Sequence, residues 1–350
     1  VVEYAKLWLI CLVAVNVLTN SARLRFFVIF FLFLYATHPI RGALFNTFVY
    51  GYSVENRVVW NGAWANPNDM AALTFLPLAL AVGLLKDPHP WIRKGAMASV
   101  ALLPLIILMT RSRGAFLAIG VFAMLTIFAN RKQAKALLAV AVIGLGAVLA
   151  APEGTFERFG DLAGAVRGGD VADAEDDNSA RQRLEIWRIA GRIIADHPIF
   201  GVGLAVYNQE HRIYAFFSAD TEIGGGQRDT HSTFIRMAAE AGYPGLVIFI
   251  IPFLIAIGRS RATRKRYEQT FPDRALALQY LEAGLIAYLV CGIFGSYAHT
   301  IFLWMTLAIL ALLTEDLKKV ATQANRPPLR RPAMPARRPA GAMRPAGAVR

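Results

Sequence analysis

The 350-residue chain is 56% hydrophobic and only 17% charged, with mean hydropathy +0.43, net charge +13 and a pI near 10. Soluble domains carry about a quarter of their residues as Asp, Glu, Lys and Arg, so this composition excludes an ordinary soluble domain and points to a polytopic membrane protein. The basic residues fall between apolar runs, as membrane topology requires, which argues against nucleic acid as a partner.

Apolar runs long enough, or nearly long enough, to cross a bilayer fall at 4–19, 24–37, 70–85, 95–110, 114–129, 135–151, 234–257, 275–297 and 299–314. The expected fold is all-α: a polytopic transmembrane helical bundle with a large, partly helical periplasmic loop. Alternating the spans puts Arg23, Arg25, Lys86, Arg93, Lys94, Arg131, Lys132, Lys135, the run 259–266 and the tail after Lys318 on one side. The positive-inside rule makes that side cytoplasmic. Loops 38–69 and 152–230 are then outside, with the turn at Arg111–Arg113. The expected organisation is transmembrane helices over 1–151, a loop domain over 152–230, transmembrane helices over 231–315 and a disordered basic cytoplasmic tail over 316–350. Gly168–Asn178, acidic and Gly-rich, reads as a mobile part of the loop. Cys11 and Cys291 lie in apolar runs and suggest neither a disulfide framework nor a metal site. The chain opens on Val1 and reads as a fragment lacking its N-terminus.

Along the chain, Asn66-Pro67-Asn68-Asp69 precedes a span and can cap a helix that lines the outer cavity. Arg111-Ser112-Arg113-Gly114 then places two arginines at the outer interface, against the charge rule. Arginine suits phosphate because its planar fork donates paired hydrogen bonds and stays charged, although anchoring to lipid headgroups would give the same pattern. Ser179 with Gln182 opens a helical pattern that stops at Asp196-His197-Pro198. Arg181, Glu185, Arg188 and Arg192 line one face, and Arg183 falls opposite, in the apolar stripe of Ile186, Trp187, Ala190 and Ile194. An arginine there either meets an anion or snorkels towards a carboxylate.

Gly201-Val202-Gly203 reads as a turn, with no preceding strand to support a dinucleotide fingerprint. His231 stands at the start of the re-entering helix, where the helix end and neighbouring arginines disfavour imidazolium. A neutral imidazole accepts a proton from an attacking hydroxyl; a structural interfacial histidine is the alternative. His299, in a short outer turn, is a second candidate proton carrier. No pair of aspartates marks a divalent-metal site, and no cofactor is implied.

Three segments together resemble the O-antigen ligase family and the polymerase-like superfamily around it. His231-Ser232, nine residues, then Gly242-Tyr243-Pro244-Gly245 is similar to that family's histidine motif. Ser112-Arg113-Gly114-Ala115 resembles its outer arginine turn. Arg183-Leu184-Glu185-Ile186-Trp187, with His197-Pro198-Ile199-Phe200-Gly201-Val202-Gly203, resembles its periplasmic-loop segment. Asn66-Pro67-Asn68-Asp69 resembles the exosortase-associated variant, an O-glycosylation ligase. The resemblance covers roughly residues 60–315. It implies a metal-independent, inverting glycosyltransferase of the bacterial inner membrane. Such an enzyme transfers a glycan from undecaprenyl pyrophosphate to an acceptor hydroxyl, for example on lipid A-core in lipopolysaccharide biosynthesis. Carried over, His231 is the general base, and Arg113 and Arg183 bind the diphosphate, with Arg111 a second phosphate contact or a headgroup anchor. The active site is then expected to face the periplasm. An O-antigen polymerase, a protein O-oligosaccharyltransferase and, from another class, a membrane transporter are the other readings.

Overall fold

The computed structural model describes residues 2–54, 57–129, 175–217 and 225–325. They form eleven α-helices: α1 (Val2–Val17), α2 (Ser21–Gly42), α3 (Pro67–Leu73), α4 (Phe75–Gly83), α5 (Pro90–Met109), α6 (Arg113–Ala129), α7 (Glu175–Asp196), α8 (Tyr207–Phe216), α9 (Thr233–Tyr267), α10 (Pro272–Cys291) and α11 (Ile301–Ala324). One isolated bridge, Val54 to Arg57, is the extent of β-pairing among the described residues. The fold is that of an all-α polytopic membrane protein.

Among the described residues, four stretches are long and apolar enough to cross a bilayer: Ser21–Val49, Pro90–Met109, Thr233–Tyr267 and Pro272–Cys291. Ala5–Val17 and Arg113–Ile127 are shorter apolar helices. The apolar part of α11 stops at Glu315 and Asp316, where charges enter the helix. The expected span 135–151, the residues 168–174 and the tail 326–350 lie outside the described residues.

Helices α4 and α10 form the centre. From Phe75 to Val82, α4 is buried throughout, and α10 buries Leu278, Tyr280, Leu281, Leu285 and Tyr288. Small residues allow the two to cross closely: a Cβ on Gly284 would come 2.5 Å from the Cβ of Ala79. Around them, α6 and α9 pack on α10, α2 and α5 on α4, and α11 on α9 and α10.

Three expected spans change shape. The run 70–85 is two short helices, because Pro77 cannot donate to Leu73 and its ring crowds that carbonyl. Thr74 takes up the break, with its hydroxyl on the Met70 carbonyl at 2.6 Å. The run 275–297 stops at Cys291, and residues 292–300 turn back through Gly292 and Gly295. The last helix continues to Ala324, into the stretch expected to be a disordered tail. Similarly, α7 opens at Glu175, within the stretch expected to be a mobile loop.

Helices α7 and α8 pack on the first turns of α9. Ile189, Ala190 and Ile193 of α7, Tyr207 of α8, and Ala238 and Ala239 of α9 share one apolar cluster. The connection from α7 to α8 locks onto α9 through its backbone. Val202 N–H donates to Ala239 C=O and Gly203 N–H to Glu240 C=O, both at 2.9 Å, and Tyr243 N–H donates to Pro198 C=O at 2.8 Å. These bonds are available because α9 breaks at Gly242, whose φ is 70° and ψ 179°. Glycine is required on both sides of the contact. A Cβ on Gly201 (φ 64°) would stand 2.3 Å from the Glu240 carbonyl carbon, and one on Gly242 would stand 2.2 Å from the Ile199 oxygen.

Gly201→Ala is therefore expected to cost about 2–4 kcal/mol, from left-handed strain plus a forced separation of the two backbones. Gly191→Ala, where the added methyl meets open space on α7, is expected to be neutral or to stabilise by up to about 1 kcal/mol. Thermal unfolding of the two variants in detergent, side by side, checks the contrast.

Candidate active site

His231, the residue before the N-cap of α9, is held in an unusual conformation. Its φ is 48°, left-handed for a non-glycine residue. Asp229 supports this turn, since its Oδ2 accepts the His231 backbone N–H at 3.2 Å. Ser232 caps α9, accepting from Ile235 N–H, and Thr230 Oγ1 donates to the Ser232 carbonyl at 2.9 Å. Thr233 stitches the helix start to the 292–297 turn. Its N–H donates to Gly292 C=O at 2.7 Å, its hydroxyl donates to Gly295 C=O at 2.7 Å, and it accepts from Tyr297 N–H at 2.8 Å.

Behind the histidine lies a chain of charges. Asp229 Oδ2 is 3.9 Å from His231 Nδ1, and its other oxygen accepts from Arg236 Nη1 at 2.9 Å. Arg236 Nε in turn donates to Glu240 at 2.9 Å, one helical turn along α9. Glu240 is fully buried, and its second oxygen has no hydrogen-bond partner among the described residues.

Helix α7 brings Arg183 to the same place. Trp187 Nε1 donates to the Thr230 carbonyl at 2.8 Å, which docks the helix on the His231 turn. The buried stripe of α7 is Ile186, Ile189, Ala190 and Ile193, and Glu185 is buried beside it. Arg183 is thus at the edge of the stripe rather than in its middle. Of the expected charged face, Glu185 lies inside the packed side, and Arg188 and Arg192 are exposed.

Partial burial lowers the pKa of the Arg183 guanidinium, the charge of Arg113 lowers it further, and Tyr297 opposes both. It remains a cation at any physiological pH. Burial lowers the His231 pKa first; Arg183 and Arg228 add to this, and Asp229 pulls the other way. Arg183 therefore lies within electrostatic reach of both Arg113 and His231.

Arg113 opens α6 and is exposed, while Arg111 occupies the turn before it with a left-handed φ of 49°. Gly114 brings this turn against the other elements. A Cβ there would stand 2.9 Å from the Phe294 ring, so Phe294 fills the space that the glycine leaves. Arg57 ties in the Asn66–Asp69 segment: its Nε donates to Thr110 C=O and its Nη2 to Asn68 Oδ1, both at 2.7 Å. Asn66 caps α3 by accepting from Asn68 N–H at 2.8 Å.

These elements enclose a cavity of about 200 Å³ lined by Asn66, Asn68, Asp69, Asp229, His231, Arg236, Tyr297 and His299, with Phe294 as an aromatic wall. Burial and the charge of Asp229 raise Asp69 to about 6, against a hydrogen bond from Tyr297. Burial and Arg236 lower His299, with Asp229 and Glu240 opposing. The secondary candidates Asn68, Asp69 and His299 thus share one cavity with His231.

Asp229, Arg236 and Tyr297 escaped the sequence reading. The acid just before a helix start and the Arg236–Glu240 spacing on one helix face are ordinary helix-stabilising signals, so neither singles out a site. Tyr297 falls at the end of an expected span, 275–297.

The bundle thus sets His231 and several hydrogen-bonding side chains around one polar cavity, with Arg183 and Arg113 near its edge rather than among its lining residues. Residues 98–250 match the family model for O-antigen ligase. The likeness of that stretch to the O-antigen ligase family supports a membrane glycosyltransferase of the O-antigen ligase or polymerase type. The matched stretch contains Arg111, Arg113, Arg183 and His231 and ends before the 292–300 turn. No curated protein matches the chain.

Asp229→Asn is expected to lower the His231 pKa further, because the carboxylate favours imidazolium and the amide does not. NMR titration of the His231 ring in the two proteins measures this directly.

Proposed function

We propose that the chain is an inverting, metal-independent glycosyltransferase of the bacterial inner membrane. It transfers a glycan from undecaprenyl pyrophosphate to an acceptor hydroxyl, such as a sugar of lipid A-core, with the site facing the periplasm. The observation that carries the proposal is the docking of α7 on the His231 turn through the Trp187–Thr230 bond, which brings Arg183 within electrostatic reach of His231 and Arg113 beside a polar cavity. The basic run 259–266 at the other end of α9 supports the orientation through the positive-inside rule.

In this reading the acceptor enters the cavity and presents its hydroxyl to His231. Nδ1 is turned to Asp229, so Nε2 is the nitrogen that takes the proton. The acceptor oxygen attacks the anomeric carbon from the face opposite the diphosphate. As the carbon–oxygen bond to the diphosphate breaks, its electron pair and negative charge pass to the leaving group, which Arg113 and Arg183 hold. Arg111 is a further phosphate contact. Asp229 stabilises the imidazolium formed. Diphosphate is already a good leaving group, so positioning and charge neutralisation supply most of the rate.

A transporter would need charged groups poised along a pathway. Both carboxylates that interrupt the long apolar helices are instead engaged: Glu240 with Arg236, and Glu282 with Ser260 at 2.8 Å and Arg261 at 3.4 Å. This favours the transferase.

His231→Ala is expected to slow transfer by about 10²–10⁴-fold, and Arg183→Ala by about 10²–10³-fold, with membrane insertion intact. Reconstitution with undecaprenyl-pyrophosphate-linked glycan measures both. A panel of acceptors (lipid A-core, a second lipid-linked glycan, a Ser/Thr peptide) separates ligase, polymerase and protein glycosylation. Wild-type rates in both variants would remove the site assignment. Because the neutral imidazole is the working form and its pKa lies below the usual 6.5, transfer should stay level through neutral pH. It should fall only as the pH drops through the lowered value.

A further inference from the structure

The turn between α7 and α8 carries two large apolar side chains on its surface. Ile199 is 59% exposed and Phe200 86% exposed. Such exposure on a rigid, well-bonded segment calls for a partner. The segment is rigid because its backbone is bonded to α9 on both sides of this pair, through Pro198 C=O to Tyr243 N–H and through Val202 and Gly203 N–H to Ala239 and Glu240 C=O.

That attachment fixes the depth of the turn in a bilayer. The basic run of α9 begins at Arg259, which marks one membrane boundary. From Arg259 back to Gly242 the helix climbs about 25 Å at 1.5 Å per residue, and the hydrocarbon core is about 30 Å thick. Gly242, whose Cα faces the Ile199 carbonyl, is therefore near the opposite edge of the core, at or just inside the headgroup boundary. Just beyond it on α9, Tyr243 is exposed, and Val247, Ile248, Ile251, Leu254 and Ile255 continue an exposed apolar stripe at helical spacing. A stripe of that length on a spanning helix faces lipid. Ile199 and Phe200 extend it at its upper end, with Tyr243 in the position where interfacial aromatics collect.

We infer that Ile199 and Phe200 insert into the bilayer leaflet on the His231 side and anchor α7 and α8 at its surface. The occupant of this apolar tip is the lipid itself, at the boundary between headgroups and acyl chains. Burying the two side chains offsets much of the unfavourable exposure that they have in water. The anchor holds α7, and with it Arg183, at the level where the phosphates of membrane lipids lie. Insertion of the tip is independent of the chemistry that His231 performs, so it stands or falls separately from glycan transfer.

The test uses the full chain in liposomes, with Cys11→Ala and Cys291→Ala as background. Single cysteines at 199, at 200 and, as a water-facing reference, at 192 on the exposed face of α7 are labelled with an environment-sensitive fluorophore. Lipids carry a quencher at the upper acyl chain. The expected result is blue-shifted emission at 199 and 200, with loss of most of it on adding the quencher lipid, while 192 keeps the emission of a water-exposed probe. Emission at both tip positions that matches 192 and is untouched by the quencher would overturn the inference. Co-elution with the unlabelled protein on size exclusion shows that each variant is folded, and two tip positions guard against one substitution failing.

Discussion

Two backbones touch where the turn after α7 meets the break in α9, and the arrangement of the site depends on that contact. With the Trp187–Thr230 bond and the apolar cluster that α7 shares with α9, it fixes Arg183 relative to His231. The contact needs glycine twice, at Gly201 and Gly242, because a Cβ on either would overlap carbonyl groups of the other strand of chain. The helix break also matters, since an unbroken α9 would commit the Ala239 carbonyl to the Tyr243 N–H, while Pro244 has no N–H to offer the Glu240 carbonyl. The two glycine-bearing motifs are therefore the two halves of one joint. Trp187 adds a side-chain bond on the far side of that joint, so α7 is held at two points along its length.

Gathering cations around a histidine would raise an electrostatic problem if nothing countered it. Arg183 and Arg228 both push the His231 pKa down, and Asp229 partly restores it. Asp229 in turn is held by Arg236, which Glu240 holds. The sequence of charges alternates in sign from the mouth into the packed face of α9. Each member therefore has an opposite charge within a few ångströms, and the buried Glu240 avoids standing as an isolated carboxylate. The outcome is an imidazole that stays neutral near pH 7 beside guanidinium groups that stay charged. That combination is what proton removal with departure of an anion requires.

Much of the bundle was legible from apolar runs, because a bilayer imposes length and composition on a spanning helix. The misjudged boundaries have local causes. Pro77 splits the run 70–85, and the apolar residues of 292–297 lie in a turn stabilised by Thr233, which hydropathy cannot distinguish from a span. On α7, periodicity placed Arg183 towards the packed side correctly but centred the stripe wrongly. Glu185 is buried there, and no scale of apolar spacing assigns a carboxylate to a packed face. His231, Arg113 and Arg183 were visible because they break the expectations of a membrane sequence. Asp229 and Tyr297 were not, since their place in the cavity arises from contacts between segments about sixty residues apart.

The polar cavity also bears on which partner the site admits. Its walls come from four separate stretches: the α3 start, the Asp229–His231 turn, Arg236 of α9, and the 292–299 turn. Side chains help tie two of these to the rest, Arg57 for the first and Thr233 for the last, the latter beside a backbone bond from Thr233 N–H to Gly292 C=O. The family match covers the histidine and arginines but neither the α3 start nor the 292–299 turn. The residues proposed to hold phosphate and remove a proton thus lie in the matched stretch. Asn66, Asn68, Asp69, Phe294 and His299, which shape the remainder of the cavity, lie outside it. Transfer chemistry common to a family and a choice of acceptor peculiar to a member would be divided along this line.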